Sequence, residues 1–377
     1  MAETLTGIDV LARDGLKALA GASVGLITNH TGLTREGVPT IDVLHNASGI
    51  SLKALFGPEH GIRGALDEKV ADGRDEKTGL PVYSLYGERQ APTDAQLAGL
   101  DTLVFDIQDI GCRFYTYLST MGHCLEAAAK KGLRFVVLDR PNPIGGVACE
   151  GPLADSDRLS FTAFHPIPVR HGMTLGELAK LLNAEKKLGA SLTVVPCEDW
   201  KRGALWDVTG LTWVNPSPNM RSLTQALLYP GIGLVEFTNL SVGRGTDTPF
   251  EVVGAPWLDG RALATALNDA SLPGLRAYPV RFTPRANKFE GKLCGGVSFV
   301  VTDRNKLSPL RLGMELVFAL RKRHPKDWEP ARLLTLLASR SAMDAVLAGA
   351  EPTRLVQSWS ADVRRWRARR APHLLYP

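Results

Sequence analysis

The sequence lacks most of the signatures that would name an enzyme class at sight. No GxGxxG follows its first β-rich run, so a dinucleotide site is not expected, and no GxxxxGK[ST] or GxSxG points to an NTPase or an α/β-hydrolase. His30, His60, His123 and His171 stand in no HxH or HExxH spacing, so no metal is expected. The five cysteines are scattered with no CxxC pair, which argues against both structural zinc and a disulfide framework and leaves free thiols. No apolar run reaches the ~20 residues of a membrane span. The first ten residues carry Glu3 and Asp9 and lack the basic and apolar stretches of a signal peptide. A cytoplasmic protein is expected as written, and a periplasmic or extracellular one if a leader was removed.

One-sided charge is also missing. The net charge of +5 is small for 377 residues and its carriers are spread out, so no nucleic-acid partner is expected. The exception is Arg364, Arg365, Arg367, Arg369 and Arg370 near the C-terminus, interleaved with Trp359 and Trp366. Their spacing suits an amphipathic helix with a solvated arginine face and tryptophans turned inward.

What is present is ample core material, 44% hydrophobic against 22% charged, in a chain long enough for two domains sharing a cleft. From about residue 22 to 140, β-rich runs at 24–28, 52–56, 81–85, 102–107 and 134–138 alternate with helical patterns at 40–46 and 117–131. Such alternation predicts an α/β, Rossmann-like, mostly parallel sheet. Residues 174–187 read as a helix opened by a Thr174/Glu177 capping box, with a strand near 193–195. Residues 211–257 read as loop-rich, and a smaller α+β unit begins near 259, with helices at 261–268, 310–323 and 330–348 and strands at 277–282 and 297–302. The division expected is a catalytic Rossmann-like domain over 1–165, extendable to about 250, and a C-terminal α+β domain over 166–377 that completes the cleft.

Polar residues collect where the strands end: Asn29 and His30, Glu59 and His60, Gln108 and Asp109, then 139–142 with Asn142. Ligands of parallel sheets bind at that edge. In Gly57-Pro58-Glu59-His60-Gly61 the glycines and proline favour a tight turn that presents a carboxylate for general acid–base work; a plain turn with Glu59 paired to Arg63 is the alternative. The run 105–117 gathers Asp106, Gln108, Asp109, Arg113 and Tyr115, a mixture of carboxylates, amide, guanidinium and phenol that suits sugar hydroxyls and ring faces. Helix capping and local charge pairing are its bland reading. The loops 213–220 and 233–247 add Asn219, Glu236, Asn239, Arg244 and Asp247.

Six motifs in order, Leu26-Ile27-Thr28-Asn29-His30-Thr31-Gly32, Phe56-Gly57-Pro58-Glu59-His60-Gly61, Asp106-Ile107-Gln108-Asp109-Ile110-Gly111, Asp139-Arg140-Pro141-Asn142-Pro143, Pro216-Ser217-Pro218-Asn219-Met220 and Gly243-Arg244-Gly245-Thr246-Asp247, resemble the exo-β-N-acetylmuramidase family, long catalogued as a bacterial domain of unknown function. The resemblance runs from about residue 5 to the C-terminus. It implies release of terminal N-acetylmuramic acid from non-reducing ends of peptidoglycan fragments in cell-wall turnover, a cleft between two domains, no organic cofactor, and a catalytic glutamate at Glu59. Glycoside hydrolysis usually takes a second carboxylate. Glu236 and Asp109 are the foremost candidates, with Asp106 and Asp247 also open. Asn29, His30, His60, Arg63, Asp106, Gln108, Arg113, Tyr115, Asn142, Asn219, Asn239, Arg244 and Asp247 are expected to bind substrate, with Arg244 or Arg63 on the lactyl carboxylate. A non-catalytic wall-sugar binder and a different hydrolase of wall fragments, such as an amidase or phosphoesterase, stay open as alternatives.

Overall fold

The computed structural model describes residues 3–62 and 72–377. Its centre is a seven-stranded sheet built from β1 (Ser23–Thr28), β2 (Ser51–Gly57), β3 (Gly73–Arg74), β4 (Pro81–Ser84), β5 (Thr102–Asp106), β6 (Arg134–Leu138) and a late strand at Ser191–Val195. The spatial order is β3-β4-β2-β1-β5-β6 and then the late strand, all parallel but for the short β3. β1 and β5 lie side by side although three strands of the sheet come between them in the chain, so the winding reverses there. Strands buried on both faces need apolar residues throughout, and Thr102–Asp106 is buried at every position. The helix Tyr117–Lys131 sets Leu118, Met121, Leu125 and Ala128 against the sheet at helical spacing, and Gly132 ends it in the left-handed conformation. The Thr174/Glu177 capping box forms and opens the helix Leu175–Glu185.

The remaining strands are β7 (Glu150–Leu153) and β8 (Pro168–Arg170), an antiparallel pair, followed after the late strand β9 (Ser191–Val195) by β10 (Val252–Ala255), β11 (Leu275–Phe282) and β12 (Cys294–Val301). The last three form an antiparallel sheet in the order β10-β12-β11. The parallel sheet thus takes in a strand beyond residue 165, and the C-terminal sheet starts before 259.

One expectation is refined and one fails. The stretch 211–257 holds a helix, Leu223–Ile232, and the strand β10. The helix expected over 330–348 is two, Leu333–Leu337 and Arg340–Ala348, because Ala338 turns left-handed at φ 49° and Ser339 caps the second through Ala342 N–H. The C-terminal arginine-rich segment is helical over Ser360–Arg370, with Trp366 fully buried and donating to His171 O at 2.9 Å. Arg370 is buried too and donates to Gly146 O at 2.8 Å, which ties this helix to the loops after β6.

Candidate active site

The turn after β2 is built by its backbone. His60 and Gly61 are both left-handed, at φ 71° and 69°, and Gly61 N–H donates to Pro58 O at 3.0 Å. A side-chain-bearing residue held left-handed is unusual and costs on the order of 1 kcal/mol. The reversal leaves Glu59 half-buried on the wall of a cleft of about 190 Å³. Its Oε2 accepts from Thr116 Oγ1 at 2.6 Å, so the loop after β5 fixes the carboxylate's orientation.

Glu236 is the other carboxylate on this cleft among the described residues. It follows the helix Leu223–Ile232 and a 3-10 turn, and its Oε1 accepts from Arg244 Nη1 at 2.7 Å. Arg244 is held between Gly243 and Gly245, both left-handed, and a Cβ at Gly245 would stand 2.3 Å from Ala286 O. Only glycine lets the turn press onto that backbone. Lys288 Nζ donates to Glu236 O, and burial lowers its pKa. Glu236 therefore sits beside a guanidinium and close to an ammonium.

Aromatic rings make the rest of the wall. Tyr115 meets Tyr117 and Tyr229 edge-on, with centroids 5.0 and 5.9 Å away, and Tyr86 and Phe161 lie 6.0 Å apart. Phe237 stands 40% exposed at the cleft, an apolar face free to take a sugar ring. Of the residues expected from sequence, the cleft gathers Glu59, His60, Tyr115, Asn219, Glu236 and Arg244. Thr116, Tyr86, Phe161, Tyr229 and Phe237 line it as well and were not singled out; the aromatic next to Glu236 and the threonine inside the 105–117 run were the available signals.

Most of the other expected residues are engaged elsewhere. Asp106 is fully buried and accepts from Arg140 Nε and Nη2 at 2.5 and 3.0 Å and from Thr40 Oγ1 at 2.5 Å. Arg113, also fully buried, donates to four carbonyls: Pro152 O and Ile167 O at 2.9 and 3.0 Å, and Leu336 O and Leu337 O at 2.8 Å each. Burial without a carboxylate partner pulls its pKa down to about 10. Asn142 braces the loop after β6 by donating to Met173 O at 3.0 Å, and Asn239 donates to Asp327 O at 2.7 Å. Asn29 accepts from Thr31 N–H and Oγ1 and donates to Tyr117 Oη at 3.1 Å, while His30 Nε2 lies 2.6 Å from Asn215 O. Asp247 has a 95% exposed side chain 3.8 Å from Arg221. Gln108 lines a separate cavity. Arg63 lies outside the described residues.

Asp109 is buried and accepts from Gly111 N–H at 2.6 Å; His171 Nε2 lies 4.0 Å away, and burial pushes the carboxyl up to about 7. The four histidines do not converge: no group of three or more His, Cys, Asp or Glu side chains is placed to hold a metal among the described residues.

Residues 24–224 match the family model described as exo-β-N-acetylmuramidase NamZ, N-terminal, and residues 227–376 match its C-terminal counterpart. The chain is 47% identical over 326 residues to the peptidoglycan β-N-acetylmuramidase NamZ of Bacillus subtilis (strain 168), covering 86% of this chain and 79% of that protein. Two crystal structures of DUF1343 family proteins from Bacteroides fragilis NCTC 9343 share the fold. One has a TM-score of 0.93 at 36% identity with both chains fully covered, the other 0.81 at 30% over 100% and 99%. With both halves matched and a relative this similar over most of its length, the chain belongs to the exo-β-N-acetylmuramidase family.

Proposed function

We propose that this chain is an exo-acting glycosidase that releases terminal β-linked N-acetylmuramic acid from the non-reducing ends of peptidoglycan fragments. The observation that carries the reading is the pairing of Glu59 and Glu236 on one aromatic-walled cleft. A cavity of about 190 Å³ is suited to one sugar ring rather than a run of them, which fits removal of an end residue.

Glycoside hydrolysis needs a proton delivered to the leaving oxygen and a carboxylate that supports the opposite face of the ring. Glu59 takes the first role, its free oxygen turned by the Thr116 hydrogen bond. Glu236 takes the second, with its charge set beside Arg244. Tyr115, Phe237 and Phe161 supply ring faces, and Asn219 a planar amide for hydroxyls or the acetamido group. The lactyl carboxylate distinguishes muramic acid from N-acetylglucosamine, and among the described residues lining the cleft Arg244 is the guanidinium to receive it. The substrates proposed are peptidoglycan-derived disaccharides and short glycans.

The test is hydrolysis of a chromogenic β-N-acetylmuramide by wild type and Glu59→Gln. Saturable binding without colour release by the wild type would establish a sugar-binding protein instead. Glu59→Gln activity within about threefold of wild type, under ~0.7 kcal/mol of barrier, would remove Glu59 from the chemistry.

A further inference from the structure

A second cavity, of about 220 Å³, opens at the carboxyl edge of the sheet where β1 and β5 lie side by side. It is lined by Thr31 and Thr34 after β1, Gln108 after β5, Arg140 after β6, and by Trp206 and Thr212. Open α/β sheets bind ligands at this reversal of winding. The Glu59 cleft lies elsewhere, at the end of β2, and the two share no lining residue. The segment that includes Asn215 and Pro216 runs between them, held by His30 and by Tyr117.

Two lining groups are chemically incomplete. Gln108 spends both amide hydrogens, on Asp109 O at 2.7 Å and Pro141 O at 2.9 Å. Two carbonyl partners fix the amide's orientation, so the atom left over is an acceptor. That atom, Oε1, is buried and has no hydrogen-bond partner among the described residues. Nor has the Trp206 indole N–H, a donor only, on a residue 7% exposed. Leaving such groups unpaired costs about 1–3 kcal/mol each, and native proteins rarely do so.

The cavity's cations are already matched, and its remaining charge, Glu36, is exposed. Arg140 is bound by Asp106, and Arg35 by Glu3 at 2.8 Å. An anionic ligand would find no unpaired counter-charge here, and a dinucleotide would find neither the room nor a glycine-rich phosphate loop. A hydroxyl, by contrast, accepts from an indole N–H and donates to an amide oxygen. The indole of Trp206, edge-on to Trp213 at 5.6 Å, adds an aromatic surface. We propose that this cavity is a second binding site, taking a small neutral polyhydroxylated ligand of monosaccharide size whose hydroxyls pair with Gln108 Oε1 and the Trp206 indole N–H. The site is independent of the muramidase reading.

The indole N–H is its own reporter. The chain has seven tryptophans, and in protein labelled with ¹⁵N at tryptophan the Trp206 signal is the one missing from Trp206→Phe. Glucose and N-acetylglucosamine serve as probes, with gluconate as the charged control. The expected result is a saturable downfield movement of the Trp206 signal with the neutral sugars in the millimolar range and little with gluconate. In Thr212→Phe, which places a ring from the exposed rim into the cavity, the movement should vanish while the melting temperature and muramide hydrolysis are kept. A Trp206 signal that stays put at tens of millimolar of both sugars would mean that water fills the cavity, and the proposal falls. It falls equally if the movement persists in Thr212→Phe. Neither readout depends on Glu59, so loss of the muramidase reading would leave this test intact.

Discussion

The ends of β2 and β5 offer similar chemistry in sequence and opposite fates in the fold. Glu59 after β2 stays half-buried on an open cleft, tied by one hydroxyl from Thr116. After β5, Asp106 is sealed by Arg140 and Thr40, and Arg113 is consumed by four carbonyls drawn from two distant parts of the chain. A dense run of ionisable residues is thus a poor guide to where chemistry happens. What matters is whether the groups have partners. The β5 end anchors the cleft's floor and the C-terminal helices, and the β2 end keeps a carboxylate available.

The comparison breaks first at its structural side. Arg113→Met should cost about 3–5 kcal/mol of stability, because four buried carbonyls lose their donor at once. Denaturant midpoints would show it. A loss under ~1 kcal/mol would mean that the Arg113 network is not what joins the layers. The converse holds at β2: Glu59→Gln should change stability by less than about 1 kcal/mol and slow muramide hydrolysis at least ~100-fold, about 2.7 kcal/mol of barrier. Arg244→Ala should act on selectivity, lowering the preference for a muramide over the matching glucosaminide by about tenfold, ~1.4 kcal/mol. Unchanged discrimination between the two chromogenic sugars would take the lactyl carboxylate away from Arg244.

Much of this contrast could be read before the fold was seen, and some could not. Strands buried on both faces and the helix Tyr117–Lys131 declare themselves through periodicity, and the turn at Glu59 through Gly and Pro. The helix Leu223–Ile232 does not, because eight of its ten residues are buried and it carries Pro230, so no polar stripe marks its period. The break at Ala338 is equally silent, since an alanine rather than a glycine takes the left-handed turn. Arg113 finds Leu336 O and Leu337 O more than two hundred positions away, and no local pattern encodes carbonyls at that distance. Six of the expected site residues came together because motifs at strand ends and in long loops do converge on one edge. Others, Asp106 and Arg113 above all, were drawn off by partners that only tertiary structure supplies.

The smallest effect is expected inside the sealed region, where two protons oppose one another. Burial raises Asp109 to about 7, so between roughly pH 4 and 7 the unfolded state has lost a proton that the native state keeps. Asp109 therefore makes stability fall as pH rises through that window. Burial also lowers His171 to about 3, so from about pH 3 to 6.5 the unfolded state holds a proton that the native state lacks, and His171 makes stability rise with pH. Asp109→Asn should thus tilt the stability profile upward relative to wild type, by at most ~1.4 kcal/mol per pH unit, and His171→Gln downward. The double variant loses both slopes. Whatever its overall stability, the difference between its profile and that of wild type should drift by less than about 1 kcal/mol from pH 4.5 to 6. Urea denaturation across that range measures the drift, and a slope as steep as that of Asp109→Asn would show that His171 is not held neutral beside Asp109 in the fold.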